Sequence, residues 1–95
     1  MENKLIATLI EIIGWTGSVE VILAYALVSY GKIKGDSPVY QWLNLTGGVF
    51  LIVHTIVHRA YPSTFINLVW VAIAIIALWN IQKRKNKASL TREVD

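Results

Sequence analysis

Three long apolar stretches, separated by two short polar loops, leave this chain of 95 residues little choice of fold. The stretches cover about residues 8–30, 38–58 and 63–82. Each is long enough for a helix that rises about 1.5 Å per residue to cross a membrane core of about 30 Å. With 55% hydrophobic and only 16% charged residues, the chain is too apolar for a soluble domain of its size. We therefore predict an all-α integral membrane protein with three transmembrane helices.

The loops between the stretches contain residues that start and stop helices. Ser37 can cap the second helix and Pro38 can occupy its first position. Pro62 disfavours helical geometry in the residue before it, so we expect the third helix to begin near residue 63. The run from Lys83 to Lys87 is basic and polar. We thus expect residues 1–82 to form the transmembrane domain and residues 83–95 to form a mobile basic tail.

Lysine and arginine residues are concentrated on one side of the three-span arrangement, and such residues are retained preferentially in the cytoplasm. The first loop and the tail contain Lys32, Lys34, Lys83, Arg84, Lys85, Lys87 and Arg92, whereas the other side contains Lys4 and Arg59. We predict a multi-pass protein of the cell (inner) membrane, embedded in the lipid bilayer, with its N terminus outside and its C terminus in the cytoplasm. No nucleic-acid partner is expected, because the basic run is short and lacks interleaved aromatic residues.

Each apolar stretch also contains polar side chains at membrane depth, where they must face protein or water. On the second stretch, polar and small residues recur at steps of three or four and leave the opposite face apolar. On the first stretch, Gly14, Gly17 and Ser18 begin a narrow face of small residues that another helix can approach closely. Three such helices can pack as one bundle but enclose little volume. A cavity for a solute would therefore need a second copy, and we predict a parallel homodimer of 3+3 helices.

Glu20 is the polar residue whose insertion into a membrane costs the most free energy. It lies near the centre of the first stretch, where an ionised residue costs about 2.5 to 3.5 kcal/mol on insertion scales. One hypothesis is a carboxyl group that exchanges a proton or contacts a solute during transport. The alternative is a hydrogen-bonded glutamate that fixes helix packing.

A second group of titratable residues lies near the outer ends of the first two stretches. Glu11 could pair there with His54 or His58, and histidine side chains can couple such pairs to protons. Structural hydrogen bonding is the alternative. The separation of the two histidines by four residues would also let them share a metal ion. Because the sequence shows no clear third ligand, we predict no metal site and no cofactor.

Several short motifs are spread over about residues 12–80. They are Gly14-Trp15, Ala24-Tyr25, Asp36-Ser37, Tyr40-Gln41, Leu43-Asn44, Gly47-Gly48, Ala60-Tyr61-Pro62-Ser63, Asn67 and Trp70. Together they resemble a group of small three-helix bacterial membrane proteins. That group is in turn similar to the PQ-loop superfamily, whose bacterial SemiSWEET members are half-transporters.

The resemblance implies two three-helix protomers in parallel, a solute bound between them near the midplane, and alternating access. Asn67 falls where that family has a solute-contacting asparagine, and Gly48 falls where it has a glycine on the second helix. The Pro-Gln pair that names the superfamily is replaced near Ala24-Tyr25. The sugar-stacking tryptophan of the second helix is also absent, and Trp70 on the third helix could take its place.

Two functional hypotheses follow from the sequence. The first is a SemiSWEET-like half-transporter for a small solute of unknown identity, and the second is a non-transporting accessory or scaffold subunit of a larger membrane complex. No enzyme is expected, because the sequence lacks a glycine-rich phosphate loop, a nucleophile beside a plausible base, and a dense cluster of metal ligands. The predicted substrate-binding residues are Asn67, Trp70, Tyr25, Asn44 and Glu20, and the candidates for proton coupling are Glu20, Glu11, His54 and His58.

Overall fold

A computed structural model describes residues 3–94, with side chains up to Arg92. Over that range the chain forms three helices, α1 (Lys4–Ser29), α2 (Pro38–Val57) and α3 (Tyr61–Val94). The prediction of an all-helical protein with three helices is therefore confirmed. The last residue of the predicted tail, Asp95, lies outside the described residues.

The first loop is set by capping interactions at both of its ends. At the end of α1, Gly31 adopts a left-handed φ of 72°, and the backbone N–H groups of Gly31 and Lys32 donate to the carbonyl oxygens of Val28 and Leu27. This pair of hydrogen bonds is the Schellman motif, and it satisfies carbonyl groups that have no partner within the helix. At the start of α2, the Ser37 hydroxyl accepts from the Val39 N–H at 3.1 Å.

The second loop repeats the same terminal motif with an unusual residue. The N–H groups of Arg59 and Ala60 donate to the carbonyl oxygens of Ile56 and Thr55, and Arg59 has a φ of 58°. Left-handed backbone is costly for residues with a side chain, and the two hydrogen bonds of this motif offset part of that cost. The turn needs only residues 58–60 to connect α2 to α3.

Helix α3 is longer at both ends than the sequence predicts. It begins at Tyr61, and Pro62 is accepted in the first turn because a backbone N–H there would have no acceptor within the helix. The helix does not end near residue 82 but continues to Val94. The predicted mobile tail is thus helical over its described part, because its lysine, arginine, alanine and leucine residues all favour helix.

Helix α2 lies between the other two helices and packs antiparallel to both. Its contacts with α1 pair His54 with Gly14 and Gly47 with Gly17, whereas its contacts with α3 pair Thr55 with Thr64 and Gly48 with Val71. Among the described residues, no Cα atom of α1 lies within 8 Å of one in α3. Helices α1 and α3 are therefore held apart by α2, and a groove lies between them.

Glycines allow α1 to approach α2 closely. A Cβ atom on Gly17 would lie 2.8 Å from the carbonyl oxygen of Gly47, and a Cβ on Gly47 would lie 3.0 Å from that of Gly17. Both obstacles are backbone atoms, which cannot move away as a side-chain tip can. The contact surface therefore requires a residue without a side chain at each position, as in other closely packed membrane helices.

Two helices of the described chain, α1 and α3, are long and apolar enough to cross a membrane. Their outward surfaces expose many large hydrophobic side chains, while the buried hydrophobic core is limited to Ala24, Ala74 and Ile81. Such a surface would be unfavourable in water and suits a lipid environment. Helix α2 has 20 residues and buries polar ones, among them Gln41, Asn44 and Thr55, and it does not reach the same apolarity.

Candidate functional site

The groove between α1 and α3 contains a cavity of about 270 Å³. All three helices contribute to it, with α2 forming the floor. Its lining residues are Val21, Ile22, Tyr25, Tyr40, Asn44 and Trp70. A second cavity of about 200 Å³ shares Val21 and Trp70 with the first and adds Leu51, Ile66 and Asn67. The two cavities are therefore neighbouring parts of one groove.

Asn44 is the polar group at the floor of this groove. The residue is only 5% exposed, and its side-chain Oδ1 is buried without a hydrogen-bond partner among the described residues. A buried amide oxygen without a partner is unfavourable and is usually satisfied by water, by a ligand or by another chain. Gln41, one turn earlier, differs because its Nε2 donates to the Gly35 carbonyl oxygen at 3.1 Å and so ties the first loop to α2.

The structure brings together four of the five predicted substrate-binding residues. Tyr25, Asn44 and Trp70 line one cavity, and Asn67 lines the adjoining one with Trp70. Tyr40 lines the same cavity but is not among the site residues predicted from the sequence. Its position four residues before Asn44 places it on the same helical face, and that spacing could have identified it.

Glu20 lies outside the lining of this groove and belongs to the contact between α1 and α2. Its Oε2 accepts a hydrogen bond of 2.5 Å from the hydroxyl of Thr46. Its Oε1 is buried and has no partner among the described residues. The arrangement matches the packing role considered for Glu20 more closely than direct contact with a solute in the groove.

Glu11, His54 and His58 form a separate cluster at the other end of the contact between α1 and α2. Oε2 of Glu11 lies 3.3 Å from Nε2 of His54 and 3.2 Å from Nε2 of His58. The two imidazole rings stack with their centres 4.2 Å apart. The side chains are partly open to the surroundings, with exposed fractions of 51%, 27% and 47% in the order given.

Two details of the helices position this cluster. Nδ1 of His58 lies 2.9 Å from the backbone carbonyl oxygen of His54, which fixes the orientation of the His58 ring. The His54 ring rests on Gly14, where a Cβ atom would lie 2.4 Å from the ring's Cδ2. A neighbouring cavity of about 210 Å³ opens onto the cluster and is lined by Glu11, Gly14, Trp15, Ser18 and His54.

Comparison with known proteins gives a family without a described activity. No curated protein and no solved structure matches the chain. The model of one protein family matches residues 10–85, a range that includes the groove residues and the cluster of Glu11, His54 and His58, and it carries no functional description. Because the match covers most of the 95 residues, the chain belongs to that family.

Proposed function

We propose that this protein is a half-transporter that binds a small solute in the groove between α1 and α3 and forms a homodimer whose second copy closes the groove. The observation that carries the proposal is the buried, unpartnered Oδ1 of Asn44 at the floor of a groove walled by aromatic residues. A site with a few polar groups in an apolar wall is typical of small-molecule binding.

The proposal includes α2 as a third membrane span. Helix α2 packs lengthwise between two apolar helices, and its 20 residues give a length of about 30 Å, which equals the thickness of a membrane core. Gln41, Asn44 and Thr55 are buried against neighbouring protein and are therefore shielded from lipid. This shielding explains how a helix of lower apolarity can cross the membrane.

The lining of the groove favours a small uncharged solute. Neither of its two cavities is lined by a charged residue. The Asn44 side-chain amide can form a hydrogen bond with a hydroxyl or amide group, while Tyr25 and Trp70 offer aromatic surfaces for an apolar face. Because no charged group would compensate its charge, an ionic solute would lose more hydration free energy than its contacts in the groove would restore.

The first step of the test is the oligomeric state in lipid. Native mass spectrometry of the protein in nanodiscs, together with crosslinking in native membranes, should give a dimer. A monomer at all protein concentrations would leave the groove open to lipid and would rule out the proposed transport mechanism.

The second step is uptake of a panel of neutral and charged solutes into proteoliposomes. We expect uptake of a neutral solute to fall at least about fivefold in Asn44→Ala and Trp70→Ala, since a buried hydrogen bond or an aromatic contact contributes on the order of 1 kcal/mol or more. Asn80→Ala and Phe65→Ala are matched controls, because both side chains are exposed on α3 and line neither cavity of the groove. Equal losses in test and control variants would contradict solute binding in the groove.

A second candidate function is an accessory subunit of a larger membrane complex. It is favoured by the lining of the groove, which consists mostly of aliphatic and aromatic side chains and includes the Asn44 amide, which a partner helix could satisfy. If the protein has this function, it should be a monomer that copurifies with one membrane partner. The Trp70→Ala variant should no longer copurify with that partner. A dimer with solute uptake would exclude it.

A further inference from the structure

We propose that Glu11, His54 and His58 form a binding site for one divalent transition-metal ion of the Zn²⁺ type. The site lies outside the groove and would exist whether or not the protein transports a solute. The sequence shows two imidazoles at a suitable spacing but no third ligand. The packing of α1 against α2 supplies that ligand by bringing Glu11 to both histidines.

The distances within the cluster match those around a tetrahedral metal ion. Zn²⁺ binds imidazole nitrogen and carboxylate oxygen at about 2.0 to 2.2 Å, so two ligand atoms on a tetrahedral ion are separated by about 3.3 to 3.6 Å. Oε2 of Glu11 lies 3.3 Å and 3.2 Å from the two Nε2 atoms. All three ligand atoms lie within 4.8 Å of one another, and one ion can reach all of them once the stacked imidazole rings turn so that both lone pairs point at it.

The hydrogen bond of His58 supports a cation between these atoms. The backbone carbonyl of His54 can only accept, so Nδ1 of His58 must donate in their 2.9 Å bond. A neutral His58 then directs the lone pair of its Nε2 at Oε2 of Glu11, which is also an acceptor. Two facing acceptors need a proton or a metal ion between them, and one metal ion would serve both histidines at once. A carbonyl bound to the second ring nitrogen is also the usual support of a metal-binding histidine.

The surroundings leave room for the ion and for a further ligand. Gly14 lets the His54 ring lie against the backbone of α1, within reach of Glu11. The cavity beside the cluster gives access to the remaining coordination position, which water could occupy. Both histidines lie at the C-terminal end of α2, where the helix dipole favours a positive charge.

The test is metal binding by the full chain, purified in detergent through a tag without histidine. After removal of bound metal, Zn²⁺ is titrated by calorimetry, and Co²⁺ is added to record the visible absorption that identifies tetrahedral coordination. We expect one ion per chain. Glu11→Gln, His54→Ala and His58→Ala should each weaken Zn²⁺ binding by at least about 100-fold, since even the loss of a supporting residue costs about 10- to 100-fold.

Two further variants make the result specific. Glu20→Gln removes the other glutamate of α1 and should leave Zn²⁺ binding unchanged. Gly14→Ala keeps all three ligands but displaces the His54 ring, and it should weaken binding at least about tenfold, as the loss of a supporting interaction does. Circular dichroism and gel filtration of each variant show whether it remains folded.

The outcomes are clear in both directions. Binding of one Zn²⁺ that depends on Glu11 and both histidines supports the site. Absence of binding by the folded wild-type chain, or binding that persists in Glu11→Gln, overturns it. If the folded wild-type chain does not bind Zn²⁺, the cluster holds only protons and hydrogen bonds. If binding persists in Glu11→Gln, the two histidines act as an ordinary surface pair. Neither result depends on solute uptake, so the proposed transport function is tested separately.

Discussion

At the scale of single residues, Thr46 is the side chain that accommodates a glutamate inside the helix packing. Its hydroxyl lies 2.5 Å from Oε2 of Glu20 and also 2.9 Å from the carbonyl oxygen of Trp42. A carboxyl group at this depth is unfavourable unless it is hydrogen-bonded. The pair therefore satisfies one oxygen of a glutamate in the middle of an apolar helix, while Oε1 has no partner among the described residues.

We predict that Thr46→Val destabilises the protein and that the loss depends on Glu20. In membrane proteins, double-mutant cycles assign such contacts about 0.6 kcal/mol on average and at most about 1.7 kcal/mol. Unfolding in mixed micelles of Thr46→Val, Glu20→Gln and the double variant would measure this coupling. Thr46→Ser keeps the hydroxyl and serves as the control. Strictly additive effects of the two substitutions would show that the hydrogen bond contributes nothing.

At the scale of helices, the contact between α1 and α2 depends on backbone meeting backbone. Gly17 and Gly47 face each other so closely that a methyl group on either would meet a carbonyl oxygen of the opposite helix. The same contact holds Glu11 beside His54 and Glu20 beside Thr46. Separation of these two helices would therefore disturb both polar contacts together.

We predict that Gly17→Ala destabilises the fold by about 1–3 kcal/mol, the usual cost of overpacking a tight contact. The matched control is Gly35→Ala, because a Cβ atom at Gly35 has nothing within 4 Å. Thermal unfolding in detergent would compare the two variants. If Gly17→Ala were as stable as Gly35→Ala, the close approach of α1 and α2 would be wrong.

At the scale of the whole molecule, the length of α3 limits how the chain can sit in a membrane. The described chain measures 65 × 25 × 24 Å, and α3 alone has 34 residues, or about 51 Å of helix. Since a membrane core is about 30 Å thick, part of α3 must extend beyond it. The basic residues after Gln82 lie on that extension, and Arg84 reaches within 3.7 Å of Asp36 in the first loop.

We predict that the two ends of the chain lie on opposite sides of the membrane, as three spans require. The chain has no cysteine, so single cysteines can be labelled without background. A membrane-impermeant maleimide added to intact cells should label Lys4→Cys, whereas Lys87→Cys should react only after permeabilisation. Ala74→Cys, buried in the structure, is the unreactive control. Labelling of both ends from the same side would mean that α2 does not cross.

The sequence by itself determined the helices, because helix formation depends on local features. Apolar stretches set their number, and Ser37 with Pro38 set the start of α2. The periodicity of polar residues also indicated the face of α2 that is buried. The ends of α3 were less predictable, since Pro62 is compatible with a first turn and a run of lysine and arginine residues continues a helix as well as it forms a tail.

Only the tertiary structure decided which side chains meet, because that depends on which helices are neighbours. The packing order separated α1 from α3, opened the groove around Asn44, and turned Glu20 toward Thr46. It also brought Glu11 within 3.3 Å of both His54 and His58, whereas the order of the spans predicted only a pair with one of them. The closeness of this contact depends on glycines on two helices whose backbones come into contact, which local patterns do not encode.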